Sequence, residues 1–222
     1  MNSLTSPSQN NPANAGLLLD YVQAEGSVAH NYVSSADLLS GRFATRNLAD
    51  LAHFLCVLHG RHPGVVDLAA TRSAHDAARN WLIKAVDGFA VERGVLTKLT
   101  VAAGPLPSTP GQGESETAVN GQRHALDMLA RSDRDGCALG AAIALVLDWA
   151  AVRVVLDHAA KRWSVDIPGS TLPDADETYA VISGVSTSPA VERAMIFGTQ
   201  QILNQHRGLW DLLEARASAR SE

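Results

Sequence analysis

Cysteine is scarce in this chain, and so is any stretch that would carry it into a membrane. The two cysteines, Cys56 and Cys137, both sit inside apolar runs, where a thiol usually behaves as a small hydrophobe, and two cannot build a disulfide framework. A reducing, cytoplasmic location is therefore expected. The opening residues, MNSLTSPSQNNPANAG, have no basic stretch followed by an apolar one, so no secretory leader is expected. Asp148 and Arg153 interrupt the most apolar segment, Cys137 to Leu156, and each would cost roughly 2.5–3.5 kcal/mol at a bilayer centre. That segment reads as a buried helix, with no membrane partner. Clustered positive charge is missing too. The net charge is -5 and the 18 basic residues are scattered, only Lys84, Lys98 and Lys161 of them being lysines, so no nucleic-acid partner is expected.

The common catalytic signatures are also absent. There is no Gly-x-Ser-x-Gly elbow, Walker loop, dinucleotide fingerprint or Cys-x-x-Cys, which removes the motif-based routes to an enzyme class. There is no Glu-x-x-His either, the pairing that di-iron bundles draw from two of their helices. The nearest sequences are Asp50-Leu-Ala-His53 and the reversed His124-Ala-Leu-Asp127. Asp50 and His53 lie off the best apolar stripe of their helix and read as a surface or interface pair, while His124 shares a polar face with Asn120, Asp127 and Arg131.

Long alternation of apolar and polar residues is likewise missing; apolar residues recur at three and four, which predicts helices almost throughout. Helices are expected over about Ala15–Ser40 with a break near Gly26, Thr45–His59, Val65–Val101 with an irregularity at Gly88 or Gly94, Ser115–Arg131, Cys137–Trp163, Asp174–Ser183 and Pro189–Arg216. Ser115 is expected to cap its helix, and Ser188 followed by Pro189 is a strong helix start. The Pro- and Gly-rich segment AGPLPSTPGQGES must be a loop, and its length suits a lid. The 222 residues suit one domain, spanning 15–217 between a disordered tail over 1–14 and a short tail over 218–222. The expected fold is an all-α, single-domain antiparallel helical bundle of about six or seven helices. Haem-oxygenase-like and ferritin-like bundles are analogues at the level of architecture only.

What the chain does contain is LHGRHPG, residues 58–64. Gly60 is placed to end a helix whose stripe is Leu48, Leu51, Ala52, Leu55 and Leu58, and Pro63 blocks its continuation. His59, Arg61 and His62 then lie at the negative end of the helix dipole. Helix termination accounts for these residue types better than a metal or phosphate site does.

More informative are polar residues in register with apolar stripes. Glu92 shares a face with Leu82, Ala85, Phe89, Leu96 and Leu99, and His75 continues that face toward the helix start. Asp148 is the only charge between Cys137 and Val152. Arg153 is spaced to pair with Asp157, beside Trp149. His206 shares the stripe of Val191, Met195, Gly198, Ile202, Leu209 and Leu213. A buried carboxylate must be paired, protonated or bound to a cation. Two readings follow. In one, Glu92, Asp148, His75 and His206 hold a non-haem metal ion or polar ligand inside the bundle, with Trp149, Arg153, Gln201 and Gln205 lining a small-molecule site of oxidoreductase type. In the other, these residues are structural, and the protein works by self-association, for instance as a homodimer, or by partner binding through an apolar surface such as Trp210 and Leu213 on the last helix.

Overall fold

The apolar run that starts at Cys137 becomes the axis of the molecule. In the computed structural model, which describes residues 12–185 and 188–220, α7 (Cys137–Arg162) is buried on every side from Cys137 to Val146. A helix that is apolar all round has no face to give to water, so its neighbours must enclose it. It is long and apolar enough to cross a membrane, and 78% of its most apolar window is instead buried within the protein.

The surrounding helices are α1 (Pro12–Glu25), α2 (Ala36–Leu39), α3 (Ala44–His59), α4 (Val65–Arg72), α5 (Arg79–Ala103), α6 (Gln112–Ala130), α8 (Ala175–Gly184) and α9 (Pro189–Ala219), with three short 3-10 turns between them. Among the described residues there is no strand, and the fold is all-α. Helix α9 makes the most extensive contact with α7. The two helices cross at Gly140 and Gly198, where a Cβ on either glycine would collide with a backbone carbonyl of the other helix. Thr199 Oγ1 closes the crossing by donating to the Gly140 carbonyl at 3.1 Å.

Several expected boundaries are met. The first helical region breaks at Gly26, α3 ends at His59, Asp174 caps α8, and Ser188 caps α9 with Pro189 in its first turn. Others need correction. The single helix expected over 65–101 is two helices, α4 and α5, joined by a turn in which Ser73 and His75 are extended. No glycine or proline marks that break; instead the Ser73 hydroxyl accepts from the His75 amide, a local bond that competes with the helix. Helix α5 runs unbroken through Gly88 and Gly94. Helix α6 starts at Gln112 after a left-handed Gly111, so Ser115 lies inside it and donates back to the Gly111 carbonyl at 2.9 Å. Division of the third helix and the four-residue α2 raise the count from six or seven to nine among the described residues. At the ends, α1 begins three residues inside the expected tail and α9 continues to Ala219, while residues 1–11 of that tail lie outside the described residues. Trp210 and Leu213, offered as an exposed apolar surface, are both 1% exposed and belong to the core.

Candidate functional site

Two lines of buried polar groups meet beside α7. The first begins at the break after α1. There the Ser27 amide donates to Asp148 Oδ1 and the Ser27 hydroxyl to Asp148 Oδ2, each at 2.6 Å. Glycine at position 26 makes this approach possible, because a Cβ there would stand 2.5 Å from Asp148 Oδ1. Trp210 Nε1 donates to the same Ser27 hydroxyl at 2.8 Å. On the other side of the carboxylate, His206 Nδ1 lies 2.6 Å from Asp148 Oδ2, and His206 Nε2 lies 2.9 Å from His59 Nε2. Ser27, Asp148, His206 and His59 are all buried.

The proton positions in this line follow from donor arithmetic. His206 Nδ1 must carry a proton to donate to the carboxylate. Between the two Nε2 atoms one ring donates and the other accepts, so either His59 donates to a neutral His206, or a doubly protonated His206 donates to His59. Burial pushes Asp148 upward, but the hydrogen bond and charge of His206 and the two bonds from Ser27 outweigh it and hold the carboxyl below its ordinary value. Burial, reinforced by His206 and Arg93, holds His59 well below its ordinary 6.5. His59 therefore stays neutral in the folded protein near neutral pH.

The second line starts from Glu92, which is 0% exposed. Its Oε1 accepts from Arg153 Nη1 at 2.7 Å and its Oε2 from Trp149 Nε1 at 3.1 Å. Arg153 extends outward, donating from Nε to Asp157 at 2.7 Å and from Nη2 to the Pro168 carbonyl. Rings join the two lines. His59 meets Trp149 edge-on with centroids 5.4 Å apart, and Phe89 packs against the same indole at 4.9 Å.

The residues expected to form one interior site are thus divided. Glu92, Trp149 and Arg153 come together, as do Asp148 and His206. His75 belongs elsewhere, with Nε2 3.2 Å from Asp135 ahead of α7; the break between α4 and α5 takes it off the Glu92 face. Gln201 and Gln205 line a groove of about 480 Å³ between α6 and α9, beside Met128 and Phe197. Among the described residues no group of three His, Cys, Asp or Glu side chains is placed to hold a metal ion.

Sequence reasoning missed three members. His59 ends α3, as LHGRHPG predicts, but position 59 also continues the Ala52 and Leu55 stripe inward. Ser27 carried no signal beyond its place after the Gly26 break. Trp210, expected on an apolar surface, lies in the core. Asp50, which with His53 reads from the sequence as a surface or interface pair, is 1% exposed. Arg216 grips it from Nε at 2.8 Å and Nη2 at 3.1 Å, and Arg220 adds a further bond. The same two arginines fasten the expected lid. Arg216 donates to the Pro107 carbonyl at 3.3 Å and Arg220 Nε to the Thr109 hydroxyl at 2.9 Å. His53, the other half of that surface pair, bonds to the Gly104 carbonyl at 2.8 Å.

The first line has a direct consequence for stability against pH. Because the folded value of His59 is lowered, the unfolded chain binds the proton more readily below about 6.5, and stability is expected to fall as pH drops through that value. Asp148 is also lowered, and its contribution is lost only as pH falls below the ordinary carboxylate range. Urea midpoints measured from pH 8 to 5 should decline in the wild type and much less in His59→Gln. Equal slopes in the two proteins would contradict the burial of a neutral His59.

Residues 22–221 match DUF6975, a family of unknown function, and the chain belongs to that family. No curated protein and no solved structure matches the chain. The matched span contains both buried lines in full.

Proposed function

We propose that this is a non-catalytic helical protein of the cytoplasm that works by binding at its surface, with its interior ionic groups serving the fold. The observation that carries this reading is the saturation of the two interior carboxylates. Glu92 is occupied by Arg153 and Trp149, and Asp148 by His206 and two donors of Ser27. A metal would have to displace a guanidinium or an imidazole already bonded in a buried setting, and breaking such a pair leaves an uncompensated charge. The oxidoreductase-type alternative needs free ligands facing a cavity, and these carboxylates face protein donors instead.

Elemental analysis of untagged protein tests the choice. The expected result is no stoichiometric iron, manganese or zinc, either in the wild type or in a Glu92→Ala, His206→Ala double variant, and a lower unfolding midpoint in the variant. Stoichiometric metal in the wild type that the variant loses would overturn the proposal.

A further inference from the structure

Helix α7 is enclosed over most of its length, yet one strip of it reaches the surface. Ala151, Val154 and Val155 form the floor of a groove, and Val28, Val33 and Leu39, from the turns and short helix after α1, form its wall. The groove encloses about 460 Å³, within the range of small-molecule sites. Val154 is 69% exposed and Val28 57% exposed, so floor and wall both present apolar side chains to water. From Ala151 to Lys161 the floor rises about 15 Å along the helix, which makes a trough rather than a round pocket. The wall is held to the floor without any ligand, because His158 Nε2 bonds to the Leu39 carbonyl at 2.7 Å.

The polar groups along this groove are spoken for, with one exception. The Ser34 hydroxyl donates to the Asn31 carbonyl at 3.4 Å, His158 is engaged with Leu39, and Asp157 accepts from Arg153 at 2.7 Å. The side-chain ammonium of Lys161, at the end of the trough, has no ion-pair or hydrogen-bond partner among the described residues. An apolar trough ending in one free ammonium is complementary to a ligand with an apolar chain and an anionic head.

We infer that this groove binds a medium-chain aliphatic carboxylate, with the chain along Val28, Leu39, Val154 and Val155 and the carboxylate at Lys161. The inference rests on the reading that the protein acts by binding at its surface, and it names the class of ligand. The ammonium supplies a solvent-facing ion pair, so it sets head-group preference, while the apolar walls supply most of the affinity.

The test is calorimetric titration of the full chain with decanoate and, separately, with decyltrimethylammonium, a cation with a tail of the same length, both below their aggregation limits. Decanoate is expected to bind saturably at one site and about three- to fivefold more tightly than the cation. Lys161→Met should bring the two affinities together. Val154→Asp, at an exposed position that folding does not depend on, should weaken both by about tenfold or more, with the circular dichroism spectrum unchanged. Absence of saturable decanoate binding, equal affinity for the two probes in the wild type, or insensitivity to Val154→Asp would each overturn the inference. The metal content of the same preparation separates the two proposals. Stoichiometric interior metal would sink the non-catalytic reading whatever decanoate does, whereas a metal-free protein that ignores decanoate would remove the groove and leave that reading standing.

Discussion

Asp148→Ala is expected to cost about 3–5 kcal/mol of folding stability. Total stability for a domain is about 5–15 kcal/mol, so about a fifth of it or more depends on one side chain. The size follows from what the substitution leaves behind. The Ser27 amide, the Ser27 hydroxyl and His206 Nδ1 all lose their acceptor in a region closed to water. An unsatisfied buried donor costs about 1–3 kcal/mol, and the His206 contact, made to a charged acceptor, lies at the upper end of that range. Ser27→Ala removes only one of these donors, together with the acceptor of Trp210 Nε1, and should cost about 1–2 kcal/mol. Urea unfolding of the wild type, Ser27→Ala and Asp148→Ala gives the comparison, with the midpoint falling from the first to the last and the slope unchanged. If Asp148→Ala proves too unstable to purify, Asp148→Asn retains the shape and an amide acceptor and should fall between the other two. An Asp148→Ala midpoint equal to that of Ser27→Ala would mean that the aspartate is not the centre of the line.

Arg153→Met is expected to be comparably damaging for the opposite reason. It leaves a charge, rather than a set of dipoles, without its partner. Glu92 is fully buried and Arg153 is its only cationic contact among the described residues, and stranding a buried charge in this way costs about 3–5 kcal/mol. The variant has an escape in protonating Glu92, since burial without a counter-charge raises a carboxyl. A raised folded value contributes stability that is present at low pH and lost as pH climbs through it. Arg153→Met should therefore be markedly less destabilised at pH 5 than at pH 8, the reverse of the trend that His59 imposes on the wild type. Replacing both members, as Glu92→Leu with Arg153→Met, should recover a large part of the loss, because an apolar pair of similar volume often substitutes for a buried ion pair with little penalty. Recovery should be incomplete, since Trp149 Nε1 is then left without an acceptor. The double-mutant cycle reads the coupling directly; additive losses would show that Glu92 does not depend on Arg153.

The helix ends show how much was legible from neighbouring residues. Ser188 before Pro189 announces the start of α9, Gly26 the end of α1, and the bond from Arg153 to Asp157 is a one-turn spacing. Each is decided within a few residues, where backbone geometry and caps act. Burial of Glu92, Asp148 and His206 was also readable, because a helical stripe places a residue on a face whatever that face packs against. The break between α4 and α5 was not readable, since Ser73 and His75 lack the glycine or proline that would mark it.

The partners were not readable either. Glu92 and Arg153 stand 61 positions apart, Asp148 and Ser27 stand 121 apart, and His59 and His206 stand 147 apart. A stripe specifies which way a side chain points but not the rotation and height at which another helix meets it. Those are set by the crossing of α7 and α9 at Gly140 and Gly198 and by the turn at Gly26 that lets Ser27 reach Asp148. Sequence alone therefore determined an all-α chain with charged groups in its core. Only the packed helices decided that those charges would satisfy one another, because such pairing depends on positions of a few tenths of an ångström between segments that the sequence does not relate.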